Sequence, residues 1–242
     1  MELILFYILL FVVAFLYAAV GHGGASGYLA LMALWGIAPE LMKPSALFLN
    51  LFVSIIAFIQ FYRNGYFNWK FFLPFVITSI PFSFIGGSIT IDAVIYRKIL
   101  GVLLLVPVAR FFMIPYADSS ELKQSSFPLS LFIGANIGFL SGLIGIGGGI
   151  ILSPLILLLK WADQKQTAAV SALFIFVNSL AGLGGQWNSG IQLQSNMLIW
   201  VCIALLGGWL GGWLGAKRFK QQQLQVILAA VLLIAAWKLL FT

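Results

Sequence analysis

Apolar and polar positions fall in long blocks along this chain, without the short period of an amphipathic helix or strand. Apolar runs cover residues 3–20, 44–62, 71–90, 94–114, 127–144, 166–185, 196–216 and 224–241. Each approaches or exceeds the roughly 20 residues that an α-helix needs to cross a hydrocarbon core of about 30 Å. Two shorter runs, 25–37 and 150–159, follow glycine clusters, 21-GHGGASG-27 and 145-GIGGG-149. As one helix, residues 3–37 would be about 52 Å long, too long for a single crossing. The glycines are therefore expected to break this run into helices of about 18 and about 13 residues, and the second cluster to do the same. The pattern predicts an all-α polytopic membrane protein.

Composition agrees with that class. Of 242 residues, 62% are hydrophobic and only 8% charged, against about 25% charged in a soluble domain. The net charge of +7 would suggest nucleic acid in a soluble protein. Here the Lys and Arg residues sit mostly between apolar runs, where they orient helices. The lipid bilayer, and no nucleic acid, is the expected partner. One cysteine, Cys202, and one histidine, His22, can form neither an internal disulfide nor a His/Cys metal site, and no cofactor is expected. Only Glu2 stands between Met1 and the first run, so that run is expected to persist as a helix rather than be cleaved as a signal.

The longest polar interruption, 116-YADSSELKQSS-126, divides the chain into 1–115 and 127–242, and the two parts echo one another. The tetrad 21-GHGG-24 matches 145-GIGG-148, 45-SALF-48 recurs as 171-SALF-174, and Gly86-Gly87 recurs as Gly211-Gly212. The offsets are 124, 126 and 125 positions, in one order. This predicts two repeats of four or five membrane helices, each with a glycine-broken helix near its start. Broken helices at matching places of two repeats point to a transport site near the bilayer midplane. With four crossings per repeat, the Lys and Arg residues divide 8 to 5 between the two faces; with five, they divide 9 to 4. The second division is the cleaner one and makes the repeats inverted.

Two chemistries compete for the first glycine cluster. Ser26, between small residues, resembles the nucleophile motif of rhomboid intramembrane proteases, with His22 as its base. In that family the histidine comes from another helix. Here Ile146 and Ile150 stand at the places of His22 and Ser26 in the second half, and no acidic residue lies inside an apolar run to orient a base. An intramembrane hydrolase and a non-transporting scaffold are the alternatives to a transporter.

A glycine turn opening a helix presents backbone N–H groups and the positive end of the helix dipole, which favour an anion. Glu2, Glu40, Asp92, Asp118, Glu121 and Asp163 all lie in loops or at helix ends, so no midplane carboxylate is expected to bind a cation. The expected substrate-binding residues are Gly21, His22, Gly23, Gly24 and Ala25 of the first break and Gly145, Gly147, Gly148 and Gly149 of the second. Asn50 and Asn178, each shortly after a SALF tetrad, are expected to complete them. A side chain at Gly148 is expected to block the anion's approach. For 207-GGWLGGWLG-215 the expectation is tight helix packing, and for Lys43 and Arg110, at helix ends, snorkelling.

Together, a chain of this length in two halves, each with an early Gly-x-Gly-Gly break, resembles the TauE/SafE family. The resemblance is clearest in 142-GLIGIGGGIILSPLILL-158 and 167-TAAVSALFIFVNSLAGL-183. It implies a multi-pass permease of the bacterial inner membrane that exports sulfite or a related organosulfur anion. It also implies that Gly145, Gly147, Gly148, Gly149 and Pro154 form the second signature, and Gly21, Gly23 and Gly24 the first. In the first half Ala25 replaces a further glycine, His22 interrupts the cluster, and nothing in 25–37 corresponds to Pro154. The partner it implies is a small anion; a homodimer is left open.

Overall fold

Most helices begin within two residues of the start of an apolar run, and local chemistry sets their ends. The structure, a computed structural model, describes residues 2–113, 122–187, 190–217, 233 and 236–241. In chain order the helices are α1 (Glu2–Ala19), α2 (Ala25–Leu34), α3 (Pro39–Arg63), α4 (Trp69–Ser88) and α5 (Ala93–Met113). After them come α6 (Phe127–Ile144), α7 (Gly149–Leu158), α8 (Gln164–Gly185) and α9 (Met197–Lys217). Residues 236–241 are also helical. Most of the linker 116–126 and of the run 224–241 lies outside the described residues, as do Arg218 and Lys220.

Proline opens α3, and Asn68 and Asp163 cap α4 and α8 by accepting from the N–H groups of Phe71 and Gln166. Each such cap satisfies one of the donors that a helix start leaves unpaired. Among the described residues, six helices, α1, α3, α4, α6, α8 and α9, are long and apolar enough to cross a membrane.

The two short helices are ten residues each, about 15 Å, where the apolar runs suggest about 13 residues for the first. The difference has a local cause. Gly36 turns left-handed at φ 70°, and the Ile37 N–H bonds back to the Met32 carbonyl, ending α2 in a helix-terminating loop. Lys160, at φ 55°, does the same for α7, with the Trp161 N–H on the Ile156 carbonyl.

Glycine seams set the helix directions. On α9, a Cβ at Gly207, Gly211 or Gly215 would run into the backbone of Phe11, Phe15 or Ala19 in turn, so α1 and α9 lie parallel and nearly touching. Gly134, Gly138 and Gly142 of α6 meet Phe75, Ser79 and Ser83 of α4 in the same way. Small residues at four-residue spacing bring backbones together, and dispersion and packing then hold the pair. Asn50 and Phe61 of α3 lie near Ser179 and Ala168 of α8, which makes that central pair antiparallel.

One end of the bundle gathers Lys43, Gly87 and Gln186. The other gathers Tyr66, Lys123, Lys160 and Lys165, through the Lys165–Tyr66 bond and the Lys123 N–H on the Lys160 carbonyl. Lys43 and Lys160 thus lie at opposite ends.

Candidate functional site: the glycine junction

The short helices start deep inside this bundle. Beyond α1, residues 20–24 turn back, and α2 returns along α1. Tyr17 meets Ser26, and Phe6 stacks edge-on against Trp35 at 5.4 Å. Gly24, the N-cap of α2, has φ 99° and ψ 0°, and Gly148, the N-cap of α7, has φ 77° and ψ −23°. N-cap residues ordinarily sit in the extended region. A left-handed cap excludes most side chains, and that is why glycine stands at both positions.

Both breaks converge on one side chain. A Cβ at Gly23 would lie 2.6 Å from Asn50 Oδ1, and one at Gly147 would lie 2.5 Å from Asn50 Nδ2. Ile175 of α8 fills the other side of both turns, at 2.8 and 2.9 Å from the same two points. Asn50 is fully buried, and its Nδ2 donates to Ser179 Oγ at 3.3 Å. Its Oδ1 has no hydrogen-bond partner among the described residues, and the same holds for Tyr28 Oη beside Gly24 and Ser141 Oγ beside Gly148. Buried polar atoms are nearly always satisfied, and three of the unpartnered ones among the described residues lie around these two helix starts.

His22 ties the first break to the second short helix. Its Nδ1–H donates to the Val20 carbonyl at 3.1 Å, and its Nε2 lies 3.0 Å from Ser153 Oγ of α7. Ser153 in turn lies 2.7 Å from Ser171 Oγ of α8. All three side chains are buried. With Nδ1 donating, Nε2 of the neutral ring accepts from the Ser153 hydroxyl.

Ser26 is paired elsewhere, 2.7 Å from Tyr17 Oη. The Ser26–His22 dyad of a hydrolase is therefore not assembled: the serine bonds a phenol within the α1–α2 hairpin, and the histidine bonds Ser153.

The structure brings Gly23, Gly147 and Asn50 together, and Gly24, Ala25, Gly148 and Gly149 flank them as the helix starts. Gly21 and Gly145 lie outward of the junction, Gly21 against Ala168 and Gly145 against Lys43. Asn178 does not reach Asn50. Its Nδ2 donates to the Phe174 carbonyl one turn back, and its own carbonyl accepts from Ser83. Ser179, one residue further on, takes that place. A Cβ at Gly148 would meet Ile137 and Phe174, each at 2.8 Å, so a side chain there would press on apolar packing rather than into an anion's path.

Residues 6–239 match the family model described as Sulfite exporter TauE/SafE. The chain belongs to the TauE/SafE family. It is 38% identical over 235 residues to the probable membrane transporter protein y4hK of Sinorhizobium fredii, covering 96% of this chain and 95% of that one. It is 30% identical over 142 residues to the probable membrane transporter protein MJ0441 of Methanocaldococcus jannaschii, covering 57% and 53% of the two chains. No solved structure matches. As a TauE/SafE protein the chain is a multi-pass membrane transporter and not an enzyme.

Proposed function

We propose that the glycine junction binds a small sulfur-containing oxyanion, sulfite or an organosulfonate, which the protein carries across the inner membrane. The observation that carries this reading is the convergence of two helix starts on the Asn50 amide. Each helix start offers backbone N–H groups with no intrahelical acceptor and the positive end of a helix dipole. Asn50 Nδ2 and the Ser179 hydroxyl add neutral donors, and Asn50 Oδ1 can accept from a protonated oxyanion or from its water. Among the described residues no fully buried lysine clamps the ligand, so release stays easy. The family description, sulfite exporter, supports the substrate class and the outward direction.

The matching breaks and the opposed ends of Lys43 and Lys160 favour an inverted pair of repeats, 1–115 and 127–242. Such pairs place their site at the interface of the repeats. The end carrying Lys123, Lys160 and Lys165 is then the cytoplasmic one by the positive-inside rule.

Purified protein in liposomes tests the reading. Uptake of radiolabelled sulfite, thiosulfate, sulfoacetate and sulfate would be followed with and without a pH gradient. Saturable flux of sulfite or sulfoacetate above protein-free liposomes is expected. Flux of none of the four would refute it.

A further inference from the structure

A cavity with a mixed polar and apolar lining lies at the bundle end opposite the basic loops. Its volume is about 240 Å³, and its lining includes Lys43, Glu40, Thr90, Gln186 and Gln192. At roughly 30 Å³ per water, that space holds a small oxyanion with several waters. Lys43 is half-buried on the first turns of α3. Its Nζ donates to the Gly87 carbonyl at 3.1 Å and the Ile89 carbonyl at 3.3 Å, at the C-terminal end of α4. An ammonium has three N–H donors, so two carbonyls leave one for a ligand. Glu40, a turn earlier, lines the same cavity but is exposed. The Lys43 backbone and Cγ also adjoin Gly145, two residues before Gly147.

We propose that this cavity is a vestibular anion site, separate from the junction, in which Lys43 supplies the charge that selects sulfonate- or sulfite-class anions. The proposal rests on the anion-transport reading above, and it assigns Lys43 a role beyond capping α4. Low-dielectric walls around one cation concentrate anions at a mouth of this kind. The third N–H of Lys43 serves the anion while the other two stay on the α4 carbonyls.

The test places a reporter thiol at the exposed mouth residue, Gln192→Cys, with Cys202→Ser removing the native thiol. Labelling rates in detergent are compared for thiosulfonate reagents carrying either a sulfonate or a trimethylammonium group. With Lys43 present, the sulfonate reagent is expected to react about tenfold faster, and sulfoacetate is expected to slow it. Adding Lys43→Gln should bring the rate ratio close to one, while Lys43→Arg should keep it. Glutamine can still donate to the Gly87 carbonyl, so the cap survives, and a monodisperse gel-filtration peak checks this. In liposomes, Lys43→Gln should raise the KM for anion flux about tenfold with little change in maximal rate. A ratio unmoved by Lys43→Gln overturns the vestibular site, whatever the flux. Charge-selective labelling without flux of any anion upholds the site and refutes transport at the junction.

Discussion

Two glycine-rich regions of this protein look alike in sequence and do opposite things. In the α1–α9 seam, the space beside Gly207, Gly211 and Gly215 is taken by the backbone of a neighbouring helix. At the junction, the space beside Gly23 and Gly147 is taken by the side-chain amide of Asn50, and beside Gly24 by the Tyr28 hydroxyl. The seam glycines are helical and serve close contact. The junction glycines interrupt helices, and several of them hold left-handed backbone. The glycine alone therefore says little; its neighbours say whether backbone or a polar side chain lies against it.

The sharpest way to break this contrast is to fill the seam. Gly211→Leu would drive a side chain into the Phe15 backbone. Overpacking against backbone should destabilise by about 3 kcal/mol. Loss of monodisperse protein and a lower thermal midpoint in detergent would register it; a variant as stable as wild type would contradict the seam.

Asn50→Leu goes the other way. It removes the amide shared by both breaks while leaving an apolar side chain of similar size, so the protein should still insert. Loss of a hydrogen bond to a charged ligand should reduce anion flux about 10- to 100-fold. Flux equal to wild type would make the junction mere packing.

The smallest expected effect is Ser26→Ala, which removes only the bond to Tyr17 Oη. About 1 kcal/mol of stability should be lost and flux retained. Labelling of wild-type Ser26 by an activity-based serine probe would contradict the pairing described above.

Much of this was legible in the chain because it depends on contiguous residues. Apolar run length predicts the crossings, and the clusters around Gly23 and Gly147 predict the breaks, since no uniform helix of that length fits a bilayer. Small residues about one turn apart also revealed the seam at 207–215. The equivalent spacing at Gly134, Gly138 and Gly142 carries the same signal.

What depends on two distant partners was not legible. His22 and Ser153 are 131 positions apart, and only the fold shows that the histidine serves the second short helix rather than Ser26. The choice of Ser179 over Asn178 is a matter of helix rotation, which one residue reverses. Snorkelling, the expectation for Lys43, missed the carbonyls of Gly87 and Ile89 because α4 reaches them from a separate part of the chain. For Arg110 the same expectation falls on a side chain outside the described ones.

Locating a bound anion directly is the most decisive measurement. Selenite is an anomalously scattering analogue of sulfite, and crystals of the protein soaked in it would show where the oxyanion rests. A peak is expected within hydrogen-bond reach of Asn50 Nδ2 and the backbone N–H groups of Gly23–Ala25 and Gly147–Gly149. That peak should vanish in Asn50→Leu. Saturating selenite that leaves the junction empty in wild-type protein, with both glycine turns still packed dry, would contradict the assignment.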